Sequence, residues 1–430
     1  MRRRQIAVVG AGVAGLTAAY VLQRQADVTL YEAEDRLGGH AHTHELAGSD
    51  GRTVNVDTGF IVHNRVTYPY LLRLFAELDI ATQDSEMSMS VSCAGCGLQY
   101  AGGNGLSGLF PTAGNAMNPR YLRLLTEVPR FHRQARALLA GGSDEGDGAG
   151  VGAGETETMR EFLRRGRFSE YFRSHFVAPL ISAVWSCAPR LAHDYPARYL
   201  LEFLGNHGML SIGGSHRWRT VVGGSQRYVA QAAKQLSAVR TATAVRAVIR
   251  HADGTDVHDD GDDCHRFDAV VIATHPDQAL AVLHDPTVLQ RRTLAAFGYS
   301  ANSAVLHTDT GLLPRAGRAR ASWNYTMPSC RADAAAVRVS YDLSRLQRLA
   351  GDTRYLLTLN ADDQIGEPAV LRRMSYQHPI YTPESVAAQR DLPRLGDAGL
   401  AFAGAYHGWG FHEDGCRSGV EAARRLGVDW

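Results

Sequence analysis

The sequence predicts an α/β protein in which a Rossmann-like unit is interleaved with an α+β unit. Three observations carry this. An apolar run at residues 5–9 leads directly into Gly10-x-Gly12-x-x-Gly15 and a helical pattern. A second apolar, β-branched run lies far downstream at 267–274, and a third at 399–406 precedes a C-terminal helix. Apolar runs of this kind suit parallel strands buried on both faces, and their wide separation implies a discontinuous domain.

Residues 5–9 read as the first strand, 16–24 as a helix and 28–31 as a second strand ending in Glu32. Gly10 permits the tight turn, Gly12 lets backbone approach a pyrophosphate, and Gly15 lets helix and strand pack closely. The helix N-terminus offers unpaired N–H groups to phosphates. Glu32 follows at the spacing that suits a ribose hydroxyl. Strand, turn, helix, strand and acid in that order predict dinucleotide binding far more specifically than the glycines alone. A hairpin is expected at Asp50-Gly51.

The 430 residues include 45 Lys or Arg against 44 Asp or Glu, a formal net charge of +1. No single-sign run stands out, so no nucleic-acid partner is expected. Lys234 is the sole lysine. It sits outside any Gly-Lys-Ser/Thr context, which excludes a Walker A loop and leaves one position for Schiff-base chemistry. No Gly-x-Ser-x-Gly elbow supports a serine hydrolase. Six sparse cysteines favour a reducing cytoplasm over a disulfide framework. Residues 1–22 read as a strand-turn-helix rather than an export signal, and no apolar run is long enough to span a membrane.

After Glu32 comes Ala33-Glu-Asp-Arg36-Leu-Gly38-Gly39-His40, and then Asp57-Thr58-Gly59. These resemble the Arg-x-Gly-Gly and Asp-x-Gly segments of the flavin amine oxidase and phytoene desaturase superfamily. The run Asp268-Ala-Val-Val-Ile-Ala-Thr274-His-Pro276 and the last block, Gly404 followed by Gly410-Phe-His412-Glu413-Asp-Gly415, are similar to later segments of the same family. The form of this chain resembles a bacterial amine-oxidase-like branch associated with acyl-lipid modification. The resemblance implies a glutathione-reductase type FAD-binding domain from 1–75, 215–285 and 395–430. It implies a substrate-binding domain from 76–214 and 286–394, and residues 140–158 read as a flexible Gly-rich loop by composition.

The resemblance further implies FAD as cofactor, held by Gly10, Gly12, Ala14, Gly15, Glu32 and Ala33 at the first turn. Arg36, Gly38, Gly39, His40, Thr58 and Gly59 would follow the pyrophosphate and ribityl chain. Val245 would lie by the adenine and Thr274 at a strand end. Gly404, His412, Glu413 and Gly415 would face the flavin ring. His412 is the first candidate acid or base, because histidine titrates near neutrality, with hydrogen bonding to the flavin as the alternative. Tyr406 is expected on the same face with His407 and Trp409, while His207 and His378 are weaker candidates.

Amine-oxidising members often use a lysine near flavin N5, and Lys234 lies on a helix outside the substrate unit. The expected chemistry is therefore dehydrogenation of a hydrophobic, fatty-acyl or lipid substrate. Alternatives are double-bond isomerisation, amine oxidation, or an FAD protein assisting a lipid methyltransferase or cyclopropane synthase. A cytoplasmic protein with peripheral membrane contact fits that substrate class. Apolar runs at 176–185 and 199–204 suit a core as well as a lipid tunnel. His40, His42 and His44 alternate as strand neighbours would, and Cys93-Ala-Gly-Cys96 reads as a hairpin tip. No metal is expected at either.

Overall fold

In the computed structural model, residues 2–48, 51–141, 157–211 and 213–430 are described. Asp50 of the expected turn and most of the 140–158 segment lie outside them. Strand β1 (Arg4–Val9), helix α1 (Val13–Leu22) and strand β2 (Ala26–Tyr31) follow the order read from the sequence, each starting one to three residues early. They enter a five-stranded, all-parallel sheet in the order Ala238–Arg240, β2, β1, Ala269–Ile272, Leu400–Phe402. The sheet gathers strands separated by more than 200 residues, and Ala269–Ile272 is buried at every position. Such a strand has no solvent face, which is why its sequence is apolar without alternation.

Residues 238–251 divide between two sheets. Ala238–Arg240 pairs with β2, whereas Val245–His251 opens a three-stranded antiparallel sheet. The break falls at Ala242, whose φ is +49°. Ala242 N–H donates to the Glu34 carbonyl at 2.8 Å and Thr243 N–H to that of Glu32 at 2.9 Å. The loop after β2 thus holds the chain out of the ladder.

One face of the parallel sheet carries α1 and the C-terminal helix His412–Arg425. Their crossing is close because it is built on glycine. A Cβ at Gly419 would lie 2.4 Å from the Ala14 carbonyl oxygen, and one at Gly415 would lie 2.6 Å from Val13 Cγ1.

The second unit is built on a seven-stranded sheet. Its order is Val370–Ile380, Gly298–His307, Leu356–Leu359, Val339–Asp342, Trp323–Met327, Met89–Cys93, Gln99–Ala101. Met89–Cys93 and Trp323–Met327 are parallel; the other neighbours are antiparallel. Helices including Pro119–Ala140, Ala178–Trp185 and Ala197–Asn206 cover it and share its apolar core. Among the described residues, no helix is long and apolar enough to cross a membrane.

Candidate cofactor and substrate site

The first turn is shaped by contacts that exclude side chains. Gly10 has φ +98°, and its N–H donates to the Tyr31 carbonyl at 2.8 Å. A Cβ on Gly15 would fall 1.8 Å from the Gly10 carbonyl oxygen, so α1 can begin against the turn only with glycine there. At Gly12 the same test meets nothing within 4 Å. That open side lies at the N-cap of α1, which has no side-chain cap and no acid in its first turn. Free N–H groups with room in front of them suit a pyrophosphate. The Glu32 carboxylate accepts from the Ala11 N–H at 2.8 Å and the Glu34 N–H at 3.0 Å, which places it at the end of β2 beside the turn. The exposed Ala33 follows it.

The Gly38–His40 segment is strapped across this turn. Gly38 N–H donates to the Ala11 carbonyl at 2.9 Å, and Arg36 donates to the Gly39 carbonyl at 2.8 Å while pairing with Glu34. On its other side, Phe60 N–H donates to the His40 carbonyl at 2.7 Å, and a Cβ on Gly59 would come within 2.0 Å of that oxygen. The turn, the strap and Glu32 together form a cradle that offers backbone N–H donors at the start of α1 and a carboxylate at the end of β2, the groups a dinucleotide's pyrophosphate and ribose need. Val245 opens strand Val245–His251, and Thr274 lies two residues past strand Ala269–Ile272 and beside Gly10; both are half-buried.

Asp57 ties the strap to the rest of the molecule. Strands β3 (Thr43–Ala47) and β4 (Thr53–Asp57) form a hairpin, and the Asp57 side chain accepts from Thr43 Oγ1, Ser225 Oγ and Ser225 N–H. Burial pushes its pKa up to about 6 against the downward pull of the Thr43 and Ser225 bonds. Its backbone exchanges two hydrogen bonds with the Gln347 amide, at 2.8 and 2.9 Å.

A second wall comes from the seven-stranded sheet. His40 faces Tyr376 and His378, with ring centroids 5.2 and 5.5 Å away. The Tyr376 hydroxyl meets Thr58 Oγ1 at 2.7 Å and His42 Nδ1 at 3.0 Å. Asn302 Nδ2 donates to His378 Nδ1 at 3.1 Å, and His275 stacks on Tyr299 at 4.2 Å. Burial drives the pKa of His40 and His275 down and that of His378 down to about 4, so this wall of imidazoles is uncharged at neutral pH. Sequence reading missed His275, Tyr299, Asn302 and Tyr376. His275 directly follows Thr274 and could have been found there; the others carry no local signal.

Four expectations at the C-terminal end are corrected. His412 does not titrate near neutrality: burial pushes it down to about 3. Its ring stacks on Phe60 at 3.8 Å and its Nε2 meets the Tyr228 hydroxyl at 3.1 Å, so at neutral pH it is an uncharged, hydrogen-bonded group. Tyr406 does not share its face. Its ring is buried against Phe297, in the apolar cluster containing Ile272 and Phe402. Gly404 accommodates that ring, which a Cβ would strike at 2.3 Å.

Glu413 caps a different helix. Its two carboxylate oxygens accept from Tyr70 N–H at 2.9 Å and Leu71 N–H at 3.0 Å, at the start of helix α2 (Pro69–Glu77). Asp414 supplies the local cap, accepting from Phe411 N–H at 3.0 Å. Gly415 serves the crossing with α1 described above, with Ala14 in the same contact. His407 lies beside Tyr406, with ring centroids 4.7 Å apart, whereas Trp409 donates to the Tyr199 carbonyl at 3.1 Å, and His207 packs among Phe203 and Trp218. His42 and His44 keep the side-by-side relation read from the sequence, at 4.1 Å, but His40 turns away toward His378.

These imidazoles give the FAD-free chain a defined pH response. His42, His63, His378 and His412 have folded pKa values of about 3 to 4, below the unfolded 6.5. Their contribution to stability is full above pH 6.5 and is lost as pH falls through 4. Asp57, Asp414 and Glu413, raised to about 6, 6 and 7, act in the opposite sense and are fewer. The melting temperature is expected to fall steadily from pH 6.5 to 4 in scanning fluorimetry; a rise over that range would contradict the assignment.

Comparison with known proteins agrees with this geometry. The family model for flavin containing amine oxidoreductases matches residues 13–335. A Mycobacterium tuberculosis protein, AofH, which bears the name of a flavin-containing monoamine oxidase, is 29% identical over 295 residues. The alignment covers 65% of this chain and 59% of that relative, so the chain spans about three fifths of its length. Among solved structures, putrescine oxidase with putrescine bound superposes with a TM-score of 0.71 at 16% identity over 98% of both chains. A conjugated-linoleic-acid-producing fatty acid isomerase from P. acnes gives 0.70 at 15% identity over 99% of both. These likenesses establish the fold. With the family match over residues 13–335, they make this chain a member of the flavin containing amine oxidoreductases, with FAD as its cofactor.

Proposed function

We propose that the chain is an FAD-dependent oxidoreductase that dehydrogenates an apolar, fatty-acyl substrate. The observation that carries this is that, among the described residues, no buried carboxylate is left unengaged to pair with an amine cation. Lys234, the sole lysine, is exposed at the end of helix Gln226–Ala233. Among the described residues, every buried carboxylate is engaged. Asp57 accepts from Ser225 and Thr43, Glu127 from Ser169 and Arg130, Asp259 from Gly261 N–H, Asp342 from Arg345 N–H and Arg354, and Asp414 from Phe411 N–H. A buried ammonium without a counter-charge is strongly disfavoured.

The wall next to the 408–412 loop suits an acyl chain instead. Phe203 stacks on Phe411 at 4.5 Å and lies 4.9 Å from Trp185, while Tyr199 and Tyr381 are 5.0 Å apart. Their polar handles are turned away to backbone. Tyr199 and Tyr381 donate to the Gly408 carbonyl at 2.6 and 3.0 Å, and Trp185 donates to the Trp409 carbonyl at 3.1 Å. Trp185, Phe203 and Tyr381 are buried behind the half-buried rings of Tyr199, Trp409 and Phe411, which are the ones left to contact an apolar substrate. Bound FAD supplies the hydride acceptor at N5. An acyl-chain methyltransferase or cyclopropane synthase is the partner consistent with this substrate class, and co-purification from cell extract tests it.

Comparative lipidomics of a strain lacking the gene tests the substrate class. The expected result is loss of one acyl species and accumulation of its counterpart bearing two more hydrogens. An interconversion without mass change would replace dehydrogenation by isomerisation. An unchanged acyl profile with an accumulated amine would overturn the proposal.

A further inference from the structure

Cys93 and Cys96 form a hairpin tip between the paired strands Met89–Cys93 and Gln99–Ala101, as the sequence suggests. The fold then brings two more ligand types to it from far along the chain. Cys330 follows strand Trp323–Met327, which runs parallel to Met89–Cys93 with Met327 beside Cys93. His175 comes from a widened helical turn, Arg173–Val177, of the π type that is frequent at functional sites. The three sulfurs and one imidazole nitrogen lie within 4.8 Å of one another. From this convergence we propose that Cys93, Cys96, His175 and Cys330 bind one zinc ion.

The spacing is that of a tetrahedral site. Zinc bonds of about 2.3 Å to sulfur and about 2.0 Å to nitrogen put two sulfurs about 3.8 Å apart, and sulfur and nitrogen about 3.5 Å apart. Cys93 Sγ and Cys330 Sγ are 3.8 Å apart, and Cys96 Sγ and His175 Nε2 are 3.6 Å apart. A disulfide would hold its sulfurs near 2.05 Å, so the Cys93–Cys330 pair is placed as two ligands and not as a bond.

The surroundings support the same reading. The turn is closed by Gly97 N–H donating to the Cys93 carbonyl at 2.9 Å, with Gly97 at φ +74°, so both thiols project from one tight loop. A Cβ at Gly95 would lie 2.9 Å from the Cys330 nitrogen, which is how closely the two loops meet. His175 Nδ1 donates to the Tyr171 carbonyl at 3.1 Å, which leaves Nε2 bare toward the sulfurs, the orientation a ligating histidine needs. Three thiolates and a neutral imidazole, with no position left over, make a structural site. On binding, the thiols of Cys93, Cys96 and Cys330 release their protons to solvent. Two other groups of ligand-type residues, around Asp256 and Asp259, are on a hairpin where Arg266 and Arg240 already pair with them.

Elemental analysis of the FAD-loaded protein, purified under reducing conditions without chelator, is expected to give about one zinc per chain. Cys330→Ser should lose most of the zinc while keeping flavin, and His175→Cys, which preserves four ligands, should retain it. If the variants do not fold, cobalt exchanged into the wild-type protein reads the same site, giving tetrahedral bands at wavelengths beyond flavin absorption. Wild-type protein that holds no zinc and takes up neither zinc nor cobalt under reducing conditions would overturn the proposal. So would a Cys93–Cys330 disulfide that, once reduced, leaves the protein unable to bind metal.

Discussion

Gly15→Ala is expected to yield protein without bound FAD. The added methyl would sit 1.8 Å from the Gly10 carbonyl oxygen and 3.0 Å from its carbon, backbone atoms that cannot rotate away. Either α1 retreats from β1 or the turn opens, and both displace the N–H groups that meet the pyrophosphate. A cost of about 3 kcal/mol would lower FAD affinity on the order of 100-fold and destabilise the protein as well. Gly12→Ala separates the two effects. Its methyl meets no protein atom within 4 Å, so the stability of the FAD-free chain should stay within about 0.5 kcal/mol of wild type. The methyl points into the space assigned to the phosphates, so FAD affinity should still fall at least about tenfold. Flavin-to-protein absorbance ratios and thermal melts of both variants check this. A Gly12→Ala protein that retains full FAD affinity would contradict the placement of the pyrophosphate.

Asp57→Ala is expected to be the most destabilising single change in the site. It removes the acceptor for Ser225 N–H, Ser225 Oγ and Thr43 Oγ1 together, deep in the protein. Donors left unpaired there cost roughly 3–5 kcal/mol, or about 3–6 °C in a chain of this size. Asp57→Asn keeps one acceptor oxygen and should recover part of the loss. Because Asp57 also exchanges backbone bonds with Gln347, the Ala variant should loosen the hold between the β3–β4 hairpin and the seven-stranded sheet. Faster amide exchange at both places would show it. A melting temperature within 1 °C of wild type would refute this role, since a loss of at most about 1 kcal/mol is too small for several unpaired buried donors.

The cofactor half was legible because its physics is local. Buried parallel strands must be apolar at every position, and the turn after β1 requires glycine at Gly10 and Gly15. These demands leave marks a few residues apart. The second wall left none. The contact between Thr58 and Tyr376 joins residues 318 apart, and that between Asn302 and His378 crosses two strands. The four proposed zinc ligands likewise come together from positions 93, 96, 175 and 330 through the pairing of Met89–Cys93 with Trp323–Met327.

Adjacent acids misled for a related reason. Glu413 and Asp414 both stand in a first helical turn, where either can cap. The sequence does not reveal that α2 presents its own bare N–H groups to Glu413. Tyr406 was misplaced because a single bond sequence after Gly404 decides which side of the sheet its ring enters. His412 kept its place in the last motif but lost its expected charge state to burial against Phe60.

Anaerobic mixing of the FAD-loaded protein with candidate substrates tests the central claim most directly. Fatty acids or phospholipid vesicles carrying the substrate acyl chain should bleach the flavin absorbance, whereas putrescine and aromatic monoamines should leave it unchanged. Bleaching by an amine, with none by any acyl lipid, would contradict the account.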